Sequence, residues 1–506
     1  MTGVPAPRRL AALGVLAALT AAACTSGGAE DDGQSAGRPS AVVQLPAGPA
    51  TVAEGRTPGE LSVAVSRALF TRAPVVVVAR ADDGPALAEA GAQAERVGAP
   101  LLVQDGGGAP TGAAAGAAAA DPALVAEVTR LGAERVLLVG APLTGLPGAV
   151  TTAADVPAAS RPAPAALTVL VDSAGEAATR TAATASARAA GAVVVPVAGS
   201  DPRADPAAIA ALAGAPRQVL AVGSGFGPGD RLDRRVALAV GGRQLPGGGQ
   251  VLFPGRRLVA LYGTPGTPSL GVLGEQGAAD SIRRAQQVAE PYRRLSDVPV
   301  VPTFEIIATV ASSSAGPDGN YSTELSVDSL RPLVEQAGAA GMYVVLDLQP
   351  GRTDFLTQAK QYAPLLELPH VGLALDAEWR LTADQRPLQQ IGSVGIAEVN
   401  SVVRWLADLT AAAALPQKLL VLHQFKLSML RDLRQLDTGR DEVASLVHMD
   451  GQGAPALKDG TWGAVTAAAP PGVTFGWKNF YDEDVPMLSP AQTMQRRPTP
   501  LMISYQ

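Results

Sequence analysis

The hydrophobic pattern changes character near residue 250. Before that point, short apolar runs alternate with alanine-rich stretches of helical period. Pro74–Ala79 (PVVVVA) predicts a strand, Pro85–Val97 a helix, Pro100–Val103 a strand, Pro122–Leu131 a helix and Arg135–Val139 a strand. The order recurs as Leu167–Val171, a helix to Ala190, Val193–Val197, a helix over Pro206–Ala213, and Gln218–Val222. Continuous β-branched runs separated by helices indicate parallel sheets covered on both faces. The spacing fits two open α/β units in tandem over residues 51–245. Gly241–Arg256, dense in glycine and proline, marks a boundary.

From Arg257 the units lengthen. Strands are predicted at Leu258–Tyr262, Val300–Ile307, Met342–Leu346, Val371–Leu375, Lys418–Leu422, Val443–Val447, Val473–Gly476 and Leu501–Ser504. Helical patterns lie at Gly277–Leu295, Val327–Ala339, Thr353–Leu366, Ile396–Ala413 and Met429–Leu436, with only short helical pieces after the sixth and seventh strands. Eight strand–helix units in about 250 residues is the arithmetic of a (β/α)8 barrel over residues 256–506. An open doubly wound sheet would carry a phosphate loop. The glycine-rich Gly223–Gly229 matches neither phosphate-binding fingerprint, and Pro228 predicts a plain turn there rather than a helix start.

A barrel brings the C-terminal ends of its strands to one face, where such folds hold their sites. Those ends carry Tyr262, Glu305, Asp347, Asp376 with Glu378, His423 with Gln424, His448 with Asp450, Trp477 with Lys478, and Tyr505. In His370–Trp379 (HVGLALDAEW) the two acids are two residues apart, so on an extended strand both point to one side. An acidic pair closing an apolar strand is costly to bury without a role. Glu305 stands inside the apolar run PTFEIIATV. Glycoside hydrolysis needs such paired carboxyls, one protonated and one ionised, and crowding and burial separate their proton affinities. Trp379 and Trp477 offer faces for sugar stacking, with Tyr262, His423, Gln424, His448, Asp450, Lys478 and Tyr505 as further substrate contacts. Trp405 reads as core, and His370, at the opposite end of its strand, as a surface or capping residue.

The Leu375-Asp-Ala-Glu-Trp379 strand end is similar to the D-x-E strand of chitinase-like and muramidase-type barrel glycoside hydrolases. The resemblance implies Glu378 as proton donor and Asp376 as its partner, with Asp347 or Glu305 as a second carboxylate. In the first half, Ala79–Ala88, Ala94–Val103 and Leu131–Gly140 resemble the second type of cell wall-binding repeat. Pro85 stands where that repeat has aspartate, and Gly140-Ala-Pro replaces its double glycine. That resemblance implies non-covalent attachment to anionic cell-wall polymers.

At the N-terminus, Arg8 and Arg9 precede an apolar run from Leu10 to Ala23, the pattern of a secretory signal and too short for a comfortable membrane span. The run ends at Cys24, the one cysteine of the chain. The segment Leu19-Thr-Ala-Ala-Ala-Cys24 resembles a bacterial lipobox. It implies a signal over residues 1–24, lipidation of Cys24, and a chain secreted across the cytoplasmic membrane and anchored on its outer face. Residues 25–50 then read as a flexible tether. One cysteine excludes an internal disulfide.

A net charge of -6 over 506 residues gives no reason to expect nucleic acid or an acidic membrane surface as partner. No serine nucleophile elbow and no HxH or HExxH spacing is present, and the histidines number three, so no cofactor and no metal is assigned. A wall-glycan hydrolase stands first. A non-catalytic wall-binding lipoprotein with a degenerate barrel is the alternative, and metal-assisted hydrolysis through His423, His448 and Asp450 comes last.

Overall fold

The structure, a computed structural model, describes residues 40–106, 117–158, 166–216 and 218–506. The signal segment, Cys24 and the tether up to residue 39 lie outside the described residues.

The first half holds two four-stranded parallel sheets. One runs in the order Leu101–Gln104, Val75–Arg80, Arg135–Leu138, Ala149–Thr151. The other runs Val193–Val197, Leu167–Asp172, Gln218–Val222, Ala50–Ala53. The tandem arrangement is therefore laced together: Ala50–Ala53, first in sequence, completes the second sheet. The chain then enters the helix Pro58–Leu69, capped by the Thr57 hydroxyl. This helix buries Val63, Val65 and Leu69 in one core with Val76 of the first sheet and Val169 of the second. One amphipathic helix thus serves both units, because its apolar stripe must be covered on both flanks. Residues from 40 onward within the expected tether are part of this fold, since Val42–Val43 pairs antiparallel with Phe70–Arg72.

The Gly223–Gly229 segment departs from the plain turn expected of it. A helix, Gly229–Val240, starts directly after Pro228. Proline costs a helix nothing just before its first turn, where the amide would lack an intrahelical partner anyway. From this helix Arg231 and Arg235 reach Asp441, with Nε···Oδ2 distances of 2.8 and 2.9 Å. Burial alone would raise the Asp441 carboxyl, but these guanidinium groups hold it far below the carboxylate range.

The second half is a closed barrel of eight parallel strands. They are β1 (Arg257–Gly263), β2 (Val300–Ala311), β3 (Tyr343–Leu348), β4 (Val371–Asp376), β5 (Lys418–His423), β6 (Val443–Met449), β7 (Thr474–Asn479) and β8 (Met502–Tyr505). Neighbours pair in sequence order, and β1 closes the ring by pairing with both β2 and β8. Helices Ala278–Arg293, Val327–Ala339, Phe355–Gln361 and Ile396–Ala412 follow β1 to β4. Two connections differ from expectation. Met429–Leu436 is not a helix but short 3-10 turns around the two-residue strand Leu430–Arg431, with Asp432 at φ 60°. A left-handed residue there stops helix propagation. After β6, Pro455–Ala468 forms a full helix of 14 residues. Its glycines and threonines mask it in sequence, while Trp462 and Val465 supply the buried stripe.

The lower end of the barrel is packed with apolar side chains. Leu258, Val301, Tyr343 and Leu419 meet Leu252 and Phe253 of the segment preceding β1. Gly241–Arg256 therefore runs under the barrel as its plug. Arg256, 2 % exposed, donates to the carbonyls of Val251 and Leu252 at 3.0 and 3.2 Å and to those of Pro246 and Gly248.

Candidate active site

Alternation along each strand decides which side chains enter the barrel. On β2, Phe304 and Ile306 pack outward against the helices, so Glu305 points to the axis. The same parity sends Asp347, Asp376, His423 and His448 inward. On β7 it turns Lys478 inward: its Nζ lies 3.3 Å from the Tyr262 ring centre. The upper interior is thus built from one side chain per strand.

His423 is the hub. Its Nδ1 lies 2.8 Å from Asp450 Oδ2 and its Nε2 3.0 Å from Glu305 Oε1. Asp347 Oδ1 stands 3.8 Å from the same Nε2, and its Oδ2 accepts from the Tyr262 hydroxyl at 3.0 Å. His423, Glu305 and Asp347 are wholly out of water. Behind them His448 Nε2 meets Ser504 Oγ at 2.7 Å. Four atoms of this interior have no hydrogen-bond partner among the described residues: Glu305 Oε2, Asp347 Oδ1, His448 Nδ1 and Asp450 Oδ1. Buried polar atoms are nearly always paired, so a cluster of unpaired ones marks capacity for a ligand or water.

Asp376 and Glu378 come together by a route other than the pleat. The strand ends at Asp376, and Ala377–Trp379 is a 3-10 turn. Asp376 Oδ1 caps that turn by accepting from the Glu378 amide at 3.2 Å. Glu378 is left half-buried at the mouth of the barrel, the most exposed of the five acids. Among the described residues no arginine pairs with it: Arg380 pairs with Glu398 at 2.9 Å, and Arg352 donates to the Gln385 carbonyl.

The carboxyls divide into two groups. Burial pushes Asp347 up to about 6, with Glu305 adding to it against the pull of His423. Burial likewise raises Asp376 well above the ordinary range, reinforced by Asp347 and Asp450. Glu378 is raised to about 7 by burial and by Asp450. Glu305 and Asp450 go the other way: burial opposes their ionisation, but the charge and hydrogen bond of His423 outweigh it and both end below their ordinary values. Burial would strip His423 of its proton, yet Asp347, Asp450 and Glu305 together hold it well above the usual imidazole range. His448, buried without such partners, falls to about 3 and is neutral.

Several expected contacts fall elsewhere. Trp477, wholly buried and outward, packs edge-on against Trp462 with centroids 5.6 Å apart and donates to Asn479 Oδ1 at 2.9 Å, so it offers no face to a sugar. Tyr505 also turns outward and meets the Tyr292 hydroxyl at 2.5 Å. Each is one residue out of phase with the true inward neighbour, Lys478 and Ser504. Gln424 lines a separate groove of about 340 Å³ with Leu427, Leu430, Leu433 and Arg434. Trp379 is half-buried in the turn beside Glu378. His370 lies far from the cluster, its Nε2 3.1 Å from the Val334 carbonyl.

Two contributors were not anticipated from the sequence. Ser504 shares the parity of Met502, and Gln349 shares that of Asp347. The Gln349 amide nitrogen lies 3.3 Å from the Tyr262 hydroxyl, and its Oε1 accepts from the Ala311 amide at 3.0 Å. Same-parity polar residues at the end of an apolar strand are the signal that finds both.

Asp376, His423 and Asp450 each present an atom within 4.8 Å of the others. Both nitrogens of His423 are already committed to carboxylates, so the ring has no lone pair to give a cation while that network stands.

No family model matches the chain, and no curated protein matches it. Among solved structures, Cwp6 from Clostridium difficile aligns at 11% identity and a TM-score of 0.15, covering 90% of this chain and 45% of that one. The chain thus spans less than half of that protein, and so low a score carries no argument.

Proposed function

We propose that the barrel, residues 256–506, is a glycoside hydrolase acting on a cell-envelope glycan. Glu378 serves as proton donor, Asp376 positions it, and Glu305 or Asp347 supplies the second carboxylate. The observation that carries this reading is the gathering of five carboxyls at one barrel rim, with Glu305 and Asp450 bound to His423 and Glu378 half-open at the mouth. Burial and the His423 charge push such a set toward proton-holding and ionised groups, the division of labour that glycosidic cleavage needs. Glu378 suits the donor role because it alone is both raised to about 7 and half-open at the mouth. Trp379 beside it is the sugar-stacking face. The sheet pair over residues 51–245 holds the substrate polymer near, on the strength of its resemblance to wall-binding repeats. Cys24 carries a lipid that keeps the chain outside the cytoplasmic membrane. Among the described residues no helix is long and apolar enough to cross a membrane.

Purified wall glycans incubated with the full chain should release reducing ends, with activity falling above about pH 7 as Glu378 loses its proton. E378Q and D376N should lose that release while remaining folded. The same preparation distinguishes a second reading, favoured by the complete burial of Glu305, Asp347 and His423. In that reading the acids form a closed polar core and the protein only binds wall polymer. Polymer retained in pulldown, with no turnover on any wall fraction, would establish it.

A further inference from the structure

We infer that His423 is a permanently charged positioning residue, an imidazolium clamped between Asp450 and Glu305 whose fixed charge decides which carboxyl groups at the rim carry protons. The protonation claim rests on the geometry and charge of this cluster and is independent of the hydrolase reading, on which only its catalytic consequence rests.

A carboxylate oxygen can only accept, so a ring nitrogen facing one must carry hydrogen. His423 faces one on each side, at 2.8 Å through Nδ1 and 3.0 Å through Nε2. A neutral ring would set a lone pair against one of those oxygens unless that carboxyl were itself protonated. The third acid, Asp347, stands 3.8 Å from Nε2 and adds to the field that holds the second proton. His448, ring to ring at 5.4 Å, does not compete: its Nε2 meets Ser504 Oγ at 2.7 Å, and its Nδ1 reaches none of these carboxylates.

Among the described residues, three further titratable groups face this ring. Tyr262 tilts toward it from β1, with ring centres 6.2 Å apart. Asp376 is its backbone neighbour on β4. Lys478 reaches over Tyr262 from β7. Two cations, His423 and Lys478, balance two anions, Glu305 and Asp450. Each further ionisation, at Asp347, Asp376 or Glu378, adds unbalanced negative charge in a medium that screens poorly. The imidazolium therefore fixes the two nearest acids as anions and leaves the proton supply on the remaining three. Its own nitrogens are used up, so it neither contacts substrate nor shuttles protons.

The three histidines make the test direct, using ¹⁵N imidazole NMR on the full chain between pH 5 and 9 with assignment from H423Q. The expected result is that both His423 nitrogens stay protonated throughout, while His448 stays neutral. D450N or E305Q, each removing one side of the clamp, should bring the His423 titration into that range. A His423 resonance that titrates between pH 5 and 9 in the wild type, or a single neutral tautomer, overturns the inference. If wall glycans are cleaved, H423Q should move the basic limb of the pH–rate profile upward by about one unit, because a charge favouring Glu378 ionisation is gone. An unmoved limb overturns the catalytic consequence. A wild type that cleaves nothing sinks the hydrolase reading, while the NMR titration still decides the charge on His423.

Discussion

The two ends of the barrel bury charge in opposite ways. At the lower end the buried charges are cations, and backbone carbonyls close around them. Arg256 donates to four, and Lys418 to those of Leu368 and Val371. Burial lowers Arg256 to about 10 and Lys418 to about 7. At the upper end the buried charges are mostly acids gathered on one imidazole. Among the described residues, oxygens of Glu305, Asp347 and Asp450 have no hydrogen-bond partner there, nor has Nδ1 of the neighbouring His448. Gln250 Oε1 is the corresponding unpaired atom on the lower side. A charge wrapped in carbonyls has no capacity left and serves architecture. A set of acids with unmet hydrogen bonds retains capacity to act.

Breaking the upper end should affect turnover more than folding. E378Q is expected to lower turnover about 10²- to 10⁴-fold, the range for a general acid, with an unchanged denaturant midpoint. Reducing-end release and urea melts measured together check this. Breaking the lower end should do the reverse. L252A removes a wholly buried plug side chain and should cost about 2–5 kcal/mol in urea unfolding. The shape of any pH–rate profile should stay as it was.

The pH dependence of stability sharpens the contrast. Asp347 is raised from 3.8 to about 6 in the folded chain, so between those values the folded state holds a proton that the unfolded state has released. Stability from this group is therefore present below about pH 4 and lost by about pH 6, on the order of 3 kcal/mol in all. D347N should flatten that decline in urea titrations from pH 4 to 7. If instead the wild type gains stability across this window relative to D347N, Asp347 is ionised in the folded state. The smallest expected effect is G476A. A Cβ there meets the His448 ring and the Leu446 side chain, so the buried ring must give way, and the strain should cost about 1–3 kcal/mol in urea unfolding.

Much of the architecture was legible along the chain. All eight barrel strands match apolar runs, because a strand buried on both faces must be continuously apolar over its own few residues. The polar residues closing those runs pointed to Asp347, Asp376 and His423, and the lone acid inside one run to Glu305, as side chains that turn inward together. The helix Pro455–Ala468 was not legible, since its glycines mask the period that its buried Trp462 and Val465 reveal. Nor was the strand swap at Ala50–Ala53, whose partner lies far along the chain at Gln218–Val222.

The sequence by itself determined where strands lie and which polar residues end them, because those properties depend on a handful of consecutive side chains. Only the tertiary structure decided which of them face inward. Closing the barrel sets the phase of each strand, and a step of one residue exchanges Trp477 for Lys478 and Tyr505 for Ser504. It also decided that Glu378 reaches the mouth through a turn rather than a pleat. And it set His423 between Glu305 and Asp450, a contact between β2, β5 and the end of β6 that no local pattern encodes.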